Sequence, residues 1–233
     1  MSGKKRIWKY FGLLVLVLVV IVSAFLLLVK QSLPHTAGTM TEGSCQDLGE
    51  GAGSGHEPRT QRILVTYASK YSSTASVAEA VMATLCDDGF MVDLRWVQNV
   101  EDVTTYDGVV LGSPIYWGFW LPTAMDFLEQ QSQILANRKV AYFILANVVA
   151  NDKDTPENRK KAMDVFVAPV LEDFPAIRPI GGVGIFGGRI EHSNLTGFES
   201  LMMDLFGFED NDSRNFAKVK AWSEEVARAF AKD

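Results

Sequence analysis

The sequence predicts a doubly wound α/β domain, with five parallel strands in the order 2-1-3-4-5, preceded by one transmembrane helix. Three observations lead there. An uncharged apolar run of helical length lies near the N-terminus. From Arg62 onward, short continuous apolar runs alternate with stretches whose apolar residues recur at helical spacing. The joins after the first and third of those runs are crowded with hydroxyls and aromatic rings. Strands alternating with helices give a parallel sheet covered on both faces. The 233 residues are 48% apolar and 21% charged, a globular balance.

Phe11–Val29 reads FGLLVLVLVVIVSAFLLLV, 19 residues without a charge. A helix of that length spans about 28 Å, close to the hydrocarbon thickness of a bilayer. Trp8 and Tyr10 stand at its N-terminal edge, where amphipathic rings favour the interface. The run is long for a cleaved signal peptide and no good A-x-A site follows it, so it reads as an uncleaved anchor occupying residues 1–30. Lys4, Lys5, Arg6 and Lys9 precede it and only Lys30 follows closely. The positive-inside rule then keeps the N-terminus in the cytoplasm and places the globular domain outside it.

Residues 31–61 lack apolar periodicity and carry glycine at 38, 43, 49, 51, 53 and 55. They read as a flexible linker with a root-mean-square reach of roughly 30 Å. His35 and His56 belong to it and receive no role. The two cysteines, Cys45 and Cys86, form no CxxC or Cys/His pattern, so no metal or thiol-redox motif is present; a disulfide between them is permitted but not required. Five of the 22 basic residues fall in the first 30 positions, which hold no acid. The remainder carries 17 basic against 28 acidic residues, a net of −11. That charge excludes nucleic acid as a partner, and it suits either plain solubility or steering of a basic protein partner.

The domain spans 62–233. Ile63–Tyr67 (ILVTY) is a buried-strand run. Val77, Ala80, Val81, Thr84 and Leu85 mark one face of a helix over 74–85, which Gly89 stops. Met91–Trp96 and Val109–Gly112 are the second and third strands. A helix at 122–135 begins with proline, where it is tolerated. Val140–Ala146 is the fourth strand, and Asp154-Thr155-Pro156 opens a helix running to about Asp173. Ile180–Phe186 is the fifth strand. The closing helix, 213–231, puts Phe216, Val219, Trp222, Val226 and Phe230 on one side.

In such a sheet the ligand lies beyond the carboxyl ends of the strands, at the switch point between strands 1 and 3. Three loops meet there: 68–74, 112–120 and 146–154. The first, Ser69, Lys70, Tyr71, Ser72, Ser73 and Thr74, joins a strand to a helix N-terminus and adds four serine and threonine hydroxyls and one cation. Those groups suit a terminal phosphate, whereas an ordinary helix cap needs one hydroxyl. The second, Ser113, Pro114, Ile115, Tyr116, Trp117 and Gly118, offers aromatic rings to flank a planar ligand; its plain alternative is packing over the sheet edge. In the third, Asn147 lies at the far side of the same place.

YASKYSSTASVAEAV resembles the FMN-phosphate loop of the flavodoxin family, and VVLGSPIYWG resembles the loop that flanks its isoalloxazine ring. The resemblance covers roughly 62–231. Within the superfamily, LANVVANDKDTPENR and GFEDNDSRNFAKVKAWSEEVARAF resemble the branch typified by menaquinone-dependent protoporphyrinogen oxidase. The resemblance implies noncovalent FMN carrying one or two electrons. Residues 69–74 would hold the phosphate, residues 113–118 would line the ring, and Asn147 would lie beyond. Two positions depart from the pattern: Ala68 stands at the usual first hydroxyl and Ser72 at a common glycine. The implied partner is a redox protein or a membrane quinone, and aromatic stacking with little positive charge implies a low potential. An extracytoplasmic domain suits a porphyrinogen substrate poorly, so the cofactor carries over better than the reaction. A flavin-free tethered interaction domain is the alternative from a different class.

Gly182-Val-Gly184-Ile-Phe-Gly187 matches GxGxxG but falls inside a strand, not in a strand-to-helix turn. Asn194 and Asn211 begin glycosylation sequons, which matter only in a eukaryotic secretory setting. Leu195, Phe198, Leu201, Met202, Leu205 and Phe206 share a helical face that either packs on the domain or touches membrane or quinone. His192, beside it, is a lone histidine.

Overall fold

A computed structural model describes residues 20, 23, 40–48, 58–195, 197–206 and 209–232. Apart from positions 20 and 23, the expected anchor at 11–29 lies outside the described residues, as does much of 31–61. Among the described residues no helix is long and apolar enough to cross a membrane.

Five parallel strands form the centre of the sheet: β2 (Arg62–Tyr67), β3 (Met91–Trp96), β4 (Gly108–Tyr116), β6 (Lys139–Leu145) and β7 (Pro179–Phe186). Their order is β3-β2-β4-β6-β7, the expected 2-1-3-4-5. Register is continuous from Ile63 opposite Val92 and Gly108 to Tyr67 opposite Trp96 and Gly112. β2 is buried from Ile63 to Tyr67 and β6 from Val140 to Leu145, so neither face meets water. On one face, Val65, Tyr67, Val110 and Phe143 pack with α1 (Ser73–Asp87) and α6 (Phe216–Ala231), through Val77, Val81 and Leu85 of α1 and Val219, Trp222 and Phe230 of α6. Strand residues of the other parity, among them Leu64, Val109 and Ile144, are also buried, as are Phe127 and Leu128 of α2 (Pro122–Leu135). Each such side chain contributes roughly 1.5–3 kcal/mol. Phe216, expected on the buried side of α6, is 45% exposed, because the helix starts there and Asn215 caps it.

The expected linker is partly built into the sheet. Gly43–Ser44 (β1) pairs antiparallel with Leu94 and Asp93 at the outer edge of β3. Cys45 is bonded to Cys86 of α1. Thr41 donates its N–H to the Tyr67 hydroxyl and accepts from it, both at 2.8 Å. Glu42 accepts from the Trp96 N–H at 3.0 Å. Met40 and Cys45 pack against the core, which is why a glycine-rich stretch is held here.

The helix after β6 is continuous but irregular: α3 (Pro156–Ala162), one π-turn at Met163–Val167, and α4 (Ala168–Asp173). Trp120, on β5 (Phe119–Trp120), donates its indole N–H to the Phe166 carbonyl in that turn at 2.9 Å. Asp154 ties α3 to α6 through Arg159 and Lys218. Between Val140 and Tyr142, β7 passes from Pro179 to Val183, two residues more than its partner, with Gly181 at φ 67° and Gly182 at φ 73°. The GxGxxG match thus contains one of a pair of bulge glycines in a strand, consistent with a chance motif.

Candidate cofactor site at the strand ends

Chain direction brings three loops to one end of the sheet. After Tyr67 the first loop is stitched to β4 by the Ala68 N–H, which bonds the Gly112 carbonyl at 2.9 Å. Ser69, Lys70 and Thr74 are buried. Ser69 Oγ and Thr74 Oγ1 have no hydrogen-bond partner, although burying a hydroxyl unpaired costs about 1–3 kcal/mol. Ser73 Oγ accepts from the Arg189 N–H at 2.8 Å and so fastens β8 (Arg189–Ile190) to the loop. Ser72 adopts φ 60°, keeping the left-handed conformation for which glycine is the usual residue. It does not line the cavity.

The second loop differs from its expected form. β4 continues through Tyr116, and Phe119–Trp120 folds back on it as β5. The two residues between, Trp117 (φ 50°) and Gly118 (φ 89°), make a tight hairpin turn with both φ positive. Tyr116 is therefore on a strand. The Tyr116 and Trp117 rings meet edge to face, with centroids 6.0 Å apart and planes at 81°. In that arrangement a planar ligand lies flat on one of them, not between both. Ser113 points away from the cavity: its hydroxyl accepts from the Leu121 N–H at 3.1 Å and donates to the Pro114 carbonyl at 3.0 Å. Gly112 passes so close under Phe143 that a Cβ would lie 2.0 Å from its ring.

A fourth element, the helical stretch expected around 195–206, covers the loops, and its Glu199 is a contact that no motif marked. α5 (Gly197–Phe206) carries Glu199, which is 2% exposed. Its carboxylate accepts from Lys70 Nζ, the Tyr71 hydroxyl and the Tyr116 hydroxyl. Lys70 Nζ also donates to the Tyr116 hydroxyl at 3.2 Å and lies 4.4 Å from that ring's centroid. Burial pushes the Lys70 ammonium below its ordinary value, and Glu199 opposes the shift. Burial, reinforced by the Glu199 hydrogen bond and charge, holds the Tyr71 phenol well above its ordinary value, so it remains a neutral donor. Met202 and Met203 face the cavity, whereas Leu201 and Leu205 are 60% and 70% exposed. The apolar stripe expected as one face is thus split, because the helix docks through positions 199, 202 and 203. The described part of His192 is its backbone, in a short 3₁₀ turn.

These elements enclose a cavity of about 390 Å³, within the range of small-molecule sites. Of the residues singled out in the sequence, Ser69, Lys70, Tyr71, Ser73, Thr74, Pro114, Ile115, Tyr116, Trp117, Gly118 and Asn147 line it. The wall also includes Leu145, Phe166, Arg189, Glu191 and Glu199, none of which the sequence marked as a site residue. The donor set fits a phosphorylated planar cofactor. Two unpartnered hydroxyls lie beside a helix N-terminus at one end, and aromatic and aliphatic side chains lie at the other. Among the described residues no group of His, Cys, Asp and Glu is placed to hold a metal ion.

Residues 64–215 match a family model described as a flavodoxin domain. The chain belongs to the flavodoxin domain family. FMN is that family's cofactor. Oxidised flavodoxin 1 from Bacillus cereus is 13% identical, covering 72% of this flavodoxin domain protein's chain and 98% of its own, at a TM-score of 0.46. A flavodoxin, WrbA-like protein from Agrobacterium tumefaciens gives 14% identity, 73% and 96% coverage, and 0.46. The rubredoxin oxygen:oxidoreductase of Desulfovibrio gigas gives 14% identity and 0.47, and the alignment spans only 37% of that longer chain. No curated protein matches the sequence.

Proposed function

We propose that this chain binds FMN at the strand-end cavity and works in electron transfer or oxidoreduction beside a membrane. The observation that carries the reading is the pair of buried hydroxyls, Ser69 Oγ and Thr74 Oγ1, which lack a protein partner in a cavity bounded by all three strand-end loops. Ser69, Ser73 and Thr74 with the first turn of α1 would hold the phosphate. Pro114, Ile115, Trp117 and Asn147 would line the ring. When bound, FMN supplies one- and two-electron redox chemistry. The residues of the chain orient it, and Tyr116, Trp117, Met202 and Met203 keep water from its surroundings.

The membrane part of the proposal rests on the 19-residue apolar run and on the cluster Lys4, Lys5, Arg6 and Lys9 before it. An extracytoplasmic domain is supported by the Cys45–Cys86 bond, since disulfides persist in oxidising compartments. The electron partner is proposed to be a redox protein or a membrane quinone, with exposed Leu201, Leu205 and Phe119 as the apolar contact.

The test is a titration of the full-length chain with FMN and with riboflavin, followed by absorbance and flavin fluorescence. FMN binds with a shifted spectrum, and Ser69→Ala or Thr74→Ala weakens FMN about tenfold, with less effect on riboflavin, which lacks the phosphate. An unperturbed FMN spectrum at saturating protein excludes the reading and leaves the tethered interaction domain.

A further inference from the structure

The cavity offers a phosphate hydroxyls and a helix terminus, but its charge is already balanced. Its charged lining among the described residues is Lys70, Arg189, Glu191 and Glu199. Arg189 sits 3.4 Å from Glu191, and Lys70 is ion-paired with Glu199, both side chains of that pair being 3% exposed. Glu199 draws Lys70 and Tyr71, two residues of the phosphate loop, and Tyr116 of the ring hairpin onto one carboxylate. A cofactor phosphate bound at Ser69 and Thr74 brings further negative charge into the same low-dielectric space, where like charges repel strongly.

We propose that Glu199 is a carboxylate latch that competes with the phosphate of FMN for Lys70, so that α5 closes over the cavity when the carboxylate holds the lysine and loosens when the phosphate takes it. This rests on the FMN reading above. The latch makes Glu199 a specificity residue: it weakens phosphorylated flavin selectively and leaves the uncharged ribityl flavin unaffected. It also couples the exposed Leu201 and Leu205 to the cofactor, because they ride on the same ten-residue helix.

The experiment compares full-length wild type with Glu199→Gln, which keeps hydrogen-bonding atoms and removes the charge. Dissociation constants for FMN and riboflavin are measured, together with hydrogen exchange of the α5 amides with and without each flavin. The latch predicts about tenfold tighter FMN in Glu199→Gln, with riboflavin changed less than about twofold. It also predicts faster α5 exchange in wild type on adding FMN but not riboflavin, and exchange in Glu199→Gln that is fast from the start. Weaker or unchanged FMN binding in the variant, or α5 exchange indifferent to both FMN and the substitution, overturns the latch while the FMN reading stands. If neither protein binds either flavin, the FMN reading fails and the competition falls with it, whatever α5 does. Should Glu199→Gln lose cooperative unfolding, Glu199→Met, which removes the charge and keeps the side-chain length, carries the same comparison with the same expected direction.

Discussion

The loops after β2, β4 and β6 and the helix α5 bound one cavity, yet they are held in different ways. Beneath the loops, Phe143, Phe186 and Trp222 pack with ring centroids 5.8–6.4 Å apart, and Gly112 lets β4 run directly under Phe143. The stability of that floor is spread over many buried side chains. α5 instead meets the cavity through one buried carboxylate and two methionines, with Leu201 and Leu205 left in solvent. A floor of that kind fails only with the domain, whereas a cover of that kind opens on its own. The sheet frames the cavity, and α5 is the part of its wall held by the fewest contacts to the core.

The sharpest way to break the floor is Phe143→Ala. A fully buried phenylalanine lost from this cluster costs about 3–5 kcal/mol, read as a lower urea midpoint, and FMN binding falls with it. Removing the Cys45–Cys86 bond as Cys45→Ala/Cys86→Ala comes next. The residues joined are 41 apart, and the chain-entropy estimate for such a loop is about 4 kcal/mol. A thiol reductant lowers the melting temperature of wild type and leaves the double variant unmoved. A smaller effect, of opposite sign, is expected at the hairpin. Trp117→Gly removes a bulky residue from positive φ and leaves stability equal or higher by up to about 1 kcal/mol, while FMN binds more weakly because an aromatic wall is lost. Gain in melting temperature with unchanged FMN affinity would count Trp117 out of the ring site.

The smallest effect is electrostatic. Hydrogen bonds from Arg159 hold the Asp154 carboxyl below its ordinary value, and Arg214 does the same for Asp212. Both folded values are depressed, so this stabilisation is complete above about pH 4 and drains away as pH falls through the lowered values. Asp154→Asn/Asp212→Asn is less stable than wild type at neutral pH, and the gap narrows as pH falls below the ordinary carboxylate range and through the lowered values. A gap that widens on acidification contradicts the assignment.

The sheet was legible because strands buried on both faces are written as unbroken apolar runs, of which ILVTY is the plainest. Parallel connectivity then places the loops after β2, β4 and β6 together without any knowledge of contacts. What could not be read depends on pairings distant in sequence. Glu199 meets Lys70 across 129 positions and Tyr116 across 83. The only local hint is an acid inside an otherwise apolar face. β1 was hidden by glycine-rich composition, since its order comes from Cys86 and Tyr67, both remote from it. The hairpin at Trp117 was obscured because asparagine or glycine, not tryptophan, usually signals two successive positive φ values. Ser113 looked like a ligand because a hydroxyl in a strand-end loop is ambiguous until its partner, the Leu121 N–H, is known.

The Cys45–Cys86 bond also has a mechanical meaning. A pull on the chain N-terminal to Met40 reaches the two-residue ladder of β1 and the Tyr67 hydroxyl first, and both are weak fasteners. Past them the load passes into the covalent link and so into the body of α1, fourteen residues beyond the Ser72 turn. Traction from that side is borne by the far end of the helix, and the loop that cradles the cofactor is spared the strain.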